Sequence, residues 1–444
     1  MTGSLHVVEA NGSRIFLDCG LFQGRRADAF EWNQRFPVPP ADVDAVVLSH
    51  AHLDHCGNLP TLVAQGFRGP IFCTPATRDL AGLVLRDAVK VQRQDIDIVN
   101  RIRRRQGLPR VRPLYRGPEA EHAIRLMRTV RYGEAFQAGR VRATFYDAGH
   151  ILGSAMVLVE AGGRRLGFTG DLGRQGTEII RDPQVLPAVD LLITESTYGS
   201  RDHDTHAEAI ANLASIVTRT TARGGRVLIP AFAIGRTQEI VHALMGELEG
   251  QRIPDGPVFV DSPMAVDATA IFRRHPECFD DETRARLRRR DPFGFKNLRY
   301  VRALEDSKAL VARDDPCVVI ATSGMAEGGR ILLHLQRFIG DPRATLLFVG
   351  YQAEHTLGRR ILDGAEEVRI FGETHKVGLQ VERADAFSAH ADRRELLAWA
   401  LSVPKIGRAF CVHGDLAPAQ ALAGALSAHG IPASVPMVGQ TETV

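Results

Sequence analysis

Ala45-Val46-Val47-Leu48-Ser49-His50-Ala51-His52-Leu53-Asp54-His55 is the stretch that decides the fold of this chain. An apolar run leads directly into three histidines and an aspartate. The run reads as a short strand, so the ligand-type side chains stand at its end, where α/β sheets present their chemistry. His50 and His52 lie two apart and share one side of an extended chain. Asp54 and His55 sit past the bend and can aim at a neighbouring ion. Imidazole with carboxylate, and no thiolate pair nearby, suits Zn2+.

Three residues far along the chain extend this set. His150 ends Phe145-Tyr146-Asp147-Ala148-Gly149, Asp171 ends Gly167-Phe168-Thr169-Gly170, and His413 ends Ala409-Phe410-Cys411-Val412. Each is an ionisable group at a predicted strand terminus with glycine beside it. With the hexapeptide they make seven candidate metal ligands: His50, His52, Asp54, His55, His150, Asp171 and His413.

The organisation around them is that of two interleaved α/β units. From Ser13 to Thr197 short β-rich runs recur, at Arg14–Cys19, Ala45–Ser49, Ile71–Thr74, Arg142–Asp147, Ala155–Glu160, Arg165–Thr169 and Leu191–Thr194. A second pattern follows from Gly199, with strand Val227–Pro230, a helix over Thr237–Leu248, and strands Val258–Asp261, Val318–Thr322 and Leu346–Val349. Alternating strands and helices predict a parallel sheet with its own core. Arg408–Val412 and the helix Leu416–His429 then return to the first style. One domain inserted inside another accounts for that return. The expected division is 1–199, an inserted 200–375, and a returning 376–444.

The chain resembles the metallo-β-lactamase superfamily. More narrowly it resembles the β-CASP ribonuclease branch, which includes bacterial RNase J and the endonuclease subunit of the pre-mRNA 3′-end machinery. Leu17-Asp18-Cys19-Gly20 is similar to the first motif, His50–His55 to the second, Gly149-His150 to the third and Gly170-Asp171 to the fourth. Thr194-Glu195-Ser196-Thr197-Tyr198 resembles motif A of the branch, Phe387-Ser388-Ala389-His390-Ala391-Asp392 motif B, and Val412-His413-Gly414 motif C. The stretches Pro230–Arg236, Asp261–Met264, Thr322–Met325 and Gly350–Glu354 are similar to further family segments. Two positions depart from the pattern. The family has a strand ahead of Thr2-Gly3-Ser4, where this chain begins, so either that strand is missing or the start is misassigned. His355 stands where glycine is expected, which predicts an altered backbone there.

The resemblance implies an αββα sandwich carrying an inserted α/β domain. It assigns His50, His52 and His150 to one Zn2+, Asp54, His55 and His413 to the other, and Asp171 to both. Two such ions share a hydroxide and clamp the oxygens of an in-line displacement. His390 is then the expected contact to phosphate and the proton source for the leaving oxygen, with Glu195 orienting its ring. Asp18 is expected to hold a ligand histidine through its far nitrogen. The RNA-acting members carry histidine in motif C, so His413 favours RNA over DNA.

The inserted domain is expected to supply substrate contacts. Ser323, Gly324 and Met325 end a strand, where backbone N–H groups and a hydroxyl can hold a phosphate. Arg236 opens a helix after Gly235 and offers a charge, and Ser388 belongs to motif B. The runs Arg101–Arg105 and Arg286–Arg290 are either guides for a nucleic-acid backbone or solvated faces.

Composition narrows the field. Net charge is only +3, so bulk charge does not mark a general polyanion binder. Of 55 basic residues nearly all are arginine, with lysine at 90, 296, 308, 376 and 405 only. The six cysteines are scattered without a CxxC pair, so a zinc knuckle is absent and a reducing cytoplasm is expected. No apolar run reaches the ~20 residues of a membrane span, and no export signal is read at the start. A lactamase-like or thioester hydrolase would not need Glu195, His390 or the inserted domain. The rivals are a DNA-acting nuclease of the branch and a metal-free RNA-binding scaffold, the latter disfavoured because no ligand is lost. Self-association into a homodimer is carried as a further expectation.

Overall fold

The computed structural model describes residues 3–22, 26–384 and 387–444. The chain forms two compact units. The first comprises 1–175, 182–202 and 390–444, and the second 176–181 and 203–389.

The first unit is built on two sheets. One has the order His6–Ala10, Ser13–Leu17, Ala45–Val47, Ile71–Cys73, Met127–Thr129, and only its first pair is antiparallel. The other has the order Ala433–Ser434, Ile406–Val412, Val189–Glu195, Arg164–Phe168, Ala155–Ala161, Val141–Asp147, Ala135–Ala138. Alternation along the strands explains how they pack, since successive side chains face opposite ways. Ile15, Leu17 and Val47 meet Phe145, Val157, Phe168 and Ile193 in one core. Met156, Leu158 and Leu192 face the other way and pack on Leu396 and Trp399 of helix Arg393–Ser402 and Leu422 and Leu426 of helix Leu416–Ala428. The helices Leu59–Ala64, Pro75–Arg105 and Gly117–Leu126 accompany the first sheet. This is the expected αββα sandwich.

The second unit is a six-stranded parallel sheet. Its order is Leu298–Val301, Val258–Asp261, Val318–Ala321, Val227–Pro230, Thr345–Phe348, Gln380–Arg383. Both faces are covered, as the continuous apolar strands require. Val227, Ile229, Val258, Val260 and Ile320 pack on Leu213, Ile240 and Leu244. Leu228, Phe259, Val319 and Leu346 pack on Leu310, Ile331, Leu335 and Ile361.

Two details differ from the sequence reading. Gln380–Arg383 pairs with Thr345–Phe348, so the second unit continues to Ala389, past the expected end at 375. Ladder hydrogen bonds hold that strand, and no composition change marks it. The backbone at His355 has φ +69, the left-handed region that glycine ordinarily supplies, so the geometry expected of glycine is kept by a histidine. His6–Ala10 forms the edge of its sheet, and Thr2, part of the stretch before it, lies outside the described residues. No helix among the described residues is long and apolar enough to cross a membrane.

Candidate metal centre

Strand ends deliver the ionisable groups of the first unit to one place. Ala45–Val47 runs into His50 and His52, and a single helical turn, Leu53–Cys56, carries Asp54 and His55. His150 follows Val141–Asp147, where its N–H donates to Ser154 Oγ at 3.0 Å. Asp171 follows Arg164–Phe168. Gly170 beside it has φ +54, and a Cβ there would lie 2.7 Å from that of Ser49, so a larger residue would push Asp171 away. Glu195 and Val412 are partners in parallel register, which sets Glu195 beside the strand end that carries His413. His390 is placed by an antiparallel bridge to Gly173 and by Ala391 N–H donating to Leu172 O at 2.8 Å.

Two clusters result. In the first, His52 Nδ1 lies 3.1 Å from His50 Nε2 and 3.2 Å from His150 Nε2. Asp171 Oδ2 lies 3.4 Å from both His50 Nε2 and His150 Nε2. In the second, His55 Nε2 and His413 Nε2 are 3.4 Å apart, with Asp54 Oδ2 3.8 Å from His413. Asp171 Oδ1 completes it, 3.2 Å from His55 Nε2 and 3.3 Å from His413 Nε2. Asp171 therefore turns one oxygen to each cluster.

The donor set fits divalent metal. Ligands about 2.0–2.1 Å from a tetrahedral zinc stand about 3.3 Å from one another, close to these spacings. Asp171 Oδ1 is buried without a hydrogen-bond partner, a state that ordinarily costs about 1–3 kcal/mol. Electrostatics agree with the geometry. Burial and the neighbouring His55 push the pKa of His50 down; burial and His50 push that of His52 down to about 3. Burial and His390 hold His150 well below its ordinary value. These three rings are neutral, with lone pairs available. Burial opposes ionisation of Asp171, but the surrounding histidines outweigh it and keep its pKa well below the usual range.

A further layer holds the ligands. Asp18 Oδ2 lies 2.6 Å from His55 Nδ1, and Asp18 accepts from the N–H and hydroxyl of Ser49 at 2.7 and 2.8 Å. Asp18 and His413 both adopt positive φ, at +61 and +50, strain of the kind that clusters at functional sites. Burial disfavours a charged His55, yet Asp171 and Asp18 outweigh it and raise its pKa well above the ordinary value.

His390 and Glu195 form a third group beside Asp171. Nδ1 of His390 lies 3.1 and 3.2 Å from the two oxygens of Glu195 and 4.0 Å from Asp171 Oδ2. Glu195 is itself held by N–H donation from Leu172 at 2.6 Å and Thr197 at 3.3 Å. Burial lowers the pKa of His390, and Glu195 first, then Asp171, overturn that and push it up to about 9.

All seven candidate ligands converge with Asp18, Glu195 and His390. Sequence reasoning missed Ser4, Ser49 and His6. Ser4 Oγ lies 3.4 Å from Asp18 Oδ2, and burial, offset partly by Asp18, pushes His6 down to about 4. Ser49 was legible as the residue before the histidine motif; His6 carried no local signal.

The substrate-contact candidates belong to the second unit. Ser323 Oγ accepts from Glu327 and Gly328 N–H at 3.2 and 3.3 Å, so those donors are used inside the turn. Gly324 O accepts from Gln352 at 3.0 Å and Met325 O from Gly358 N–H at 3.1 Å. Arg236 is buried and paired with Glu239 at 2.5 Å, so its charge is already neutralised. Ser388 is buried.

Comparison with known proteins agrees with this architecture. Residues 2–215 match the metallo-beta-lactamase superfamily, 237–361 the Beta-Casp domain, and 374–436 the Zn-dependent metallo-hydrolase RNA specificity domain. The chain is 38% identical to Ribonuclease TTHA0252 of Thermus thermophilus over 441 residues, covering 99% of this chain and 96% of that one. The chain belongs to the metallo-β-lactamase superfamily, in its Beta-Casp branch. It is a metal-dependent hydrolase of that family. It is also 36% identical to the transcription termination factor FttA of Methanosarcina mazei, covering 91% of this chain but only 63% of that relative's length. Among solved structures it is similar to a protein of unknown function from Enterococcus faecalis V583, with TM-score 0.57, 13% identity and 99% and 96% of the two chains covered. That likeness concerns the fold alone.

Proposed function

We propose that this protein is a ribonuclease that hydrolyses RNA phosphodiester bonds internally, with two zinc ions held by the seven convergent ligands. The observation that carries the reading is Asp171, whose two oxygens each face one histidine cluster at 3.2–3.4 Å. His50, His52 and His150 would hold one ion, Asp54, His55 and His413 the other, and Asp171 both. When bound, the ions supply water activation at neutral pH and positive charge opposite the phosphate oxygens.

The protein's own groups do the rest. Asp18 fixes the His55 ring through Nδ1, leaving Nε2 toward the second cluster. Glu195 accepts from His390 Nδ1 and favours the charged ring. A pKa of about 9 keeps His390 protonated at neutral pH, with Nε2–H left to meet a phosphate oxygen or the leaving 3′-oxygen. The match of 374–436 to an RNA specificity domain and the similarity to a Thermus ribonuclease support RNA as the substrate. Six buried free cysteines support a reducing cytoplasmic setting.

The test is metal analysis of purified protein, followed by gel analysis of end-labelled RNA and matched DNA with wild type and His390→Ala. Zinc-dependent internal RNA fragments, lost in the variant, are expected. Mononucleotide products would overturn internal cleavage, DNA cut as readily as RNA would overturn the substrate, and a fully active His390→Ala would remove His390 from the reaction.

A further inference from the structure

The helix Pro75–Arg105 is far longer than its core requires. Its last buried position is Ala88, yet it runs on to Arg105 and turns back through Gly107. The return is strapped down: Asn100 Nδ2 donates to Val111 O at 3.1 Å, Val111 N–H donates to Asn100 Oδ1 at 2.9 Å, and Arg103 Nε donates to Pro109 O at 2.6 Å. The chain has built a structured arm whose outer residues are exposed.

This arm is unlike the other arginine-rich surface. It carries Arg101, Arg103, Arg104, Arg105, Arg110 and Arg112, and no aspartate or glutamate occurs from 98 to 118. Among the described residues none of these six has a carboxylate within ion-pair distance. In the second unit's run, by contrast, Arg286 and Arg290 both bind Glu249, at 3.3 and 2.5 Å. The helix dipole accounts for cations in the last turn, but not for Arg110 and Arg112 beyond it. At 3.6 residues per turn, Arg101, Arg103, Arg104 and Arg105 point in several directions around the axis. A flexible polyanion can follow such a distribution, whereas a partner helix or flat protein surface engages one side only.

The other end of the same helix is bonded to the turn that follows His150. Thr74 and Thr77 hydroxyls donate to Gly153 O at 2.6 and 2.8 Å, in the turn that holds His150. From Thr77 to Arg104 is about 40 Å at the helical rise, the length of roughly 12 stacked nucleotides.

We infer that the arm 89–112 is a second RNA-binding surface, one that engages the phosphate backbone of strands longer than about a dozen nucleotides while a nearer phosphodiester lies at the metal centre. This rests on the ribonuclease reading for the identity of the polyanion. It gives that reading a length preference that the metal ligands alone do not contain.

The test is fluorescence polarisation of EDTA-treated full-length protein with a 6-nucleotide and a 30-nucleotide RNA across a salt series. The variants are Arg104→Ala/Arg105→Ala/Arg110→Ala/Arg112→Ala and the same four positions changed to lysine. The alanine variant is expected to bind the 30-mer at least about tenfold more weakly, with the log–log salt slope reduced by about 3, from roughly 0.7 per lost phosphate contact. The 6-mer should bind unchanged, and the lysine variant should keep the slope. Unchanged 30-mer binding would overturn the inference, as would equal weakening for both lengths. Lost binding to poly-glutamate with RNA affinity intact would overturn it too, in favour of an acidic protein partner. Wild type that binds the 30-mer through the arm but, once reloaded with zinc, cuts no RNA would support the arm and overturn the ribonuclease reading.

Discussion

Nδ1 of His390 lies 3.1 Å from Oε1 of Glu195, a carboxylate fully removed from solvent. The pair sits beside Asp171 but belongs to neither ring cluster, so it can carry a proton while His50, His52 and His150 stay neutral. His390→Ala is expected to lower kcat about 10²–10⁴-fold, the usual worth of a positioned acid, with bound zinc unchanged. Single-turnover cleavage together with metal analysis checks it; a parallel loss of metal would make His390 a ligand instead.

The same contact predicts a pH profile. Because the folded-state pKa is raised, the protonated ring persists at neutral pH and is lost only as pH rises through about 9. Glu195→Gln removes the leading cause of that shift. If the ring returns to about 6.5, its protonated fraction at pH 8 falls about thirtyfold, and the alkaline limb of kcat moves toward neutrality. An unmoved limb would show that another group donates the proton.

Asp171 faces both clusters, so Asp171→Ala should lose both metals, while His413→Ala should lose one. Metal content after dialysis reads this directly. With free zinc about 100-fold above its Kd, wild type should gain about 2.7 kcal/mol per bound ion over the chelated protein, seen as a higher Tm. Asp171→Ala retaining full metal would refute the bridging arrangement.

Asp18 Oδ2 lies 2.6 Å from His55 Nδ1, the contact through which we propose that it acts. Asp18→Asn is expected to weaken metal binding about 10–100-fold, measured by chelator competition. Activity at saturating zinc should largely recover, an outcome a directly catalytic carboxylate would not allow.

In the second unit Asp261 is fully buried and accepts from Ser307 at 2.6 Å, Arg330 at 2.7 Å and His334 at 2.8 Å. Burial raises its pKa, and the bonds from His334, Arg330 and Ser307 outweigh that and lower it. A depressed folded-state value means the stabilisation is present above the ordinary carboxylate range and is lost as pH falls below about 4. Asp261→Ala should cost about 3–5 kcal/mol by stranding buried partners. Urea melts of this variant from pH 3 to 7 should also show a weaker acid dependence than wild type.

Much of the site was readable because its ligands are unusual residues at the ends of ordinary strands. His50 to His55 follow Ala45–Val47, and His150, Asp171 and His413 each follow a predicted strand. The second unit's sheet was equally plain in Val227–Pro230, Val258–Asp261 and Val318–Ala321, whose apolar runs need cover on both faces. Gln380–Arg383 was not, because its residues are mostly polar and only the ladder to Thr345–Phe348 makes it a strand. Arg236 read as a free charge because Glu239, its partner, becomes a neighbour only once the helix forms.

The linear order of residues determined which atoms are present to bind metal and on which side of a strand they emerge, since side-chain direction follows from backbone period. Folding decided how those atoms share the charge. That Asp171 splits its oxygens between two clusters, that Glu195 reaches His390 across 195 positions, and that Arg286 and Arg290 share Glu249 while the arginines of 101–112 meet no carboxylate among the described residues all depend on distances between groups remote in sequence. Coulomb energy and hydrogen bonding act over a few ångströms, so only the folded chain assigns partners to them.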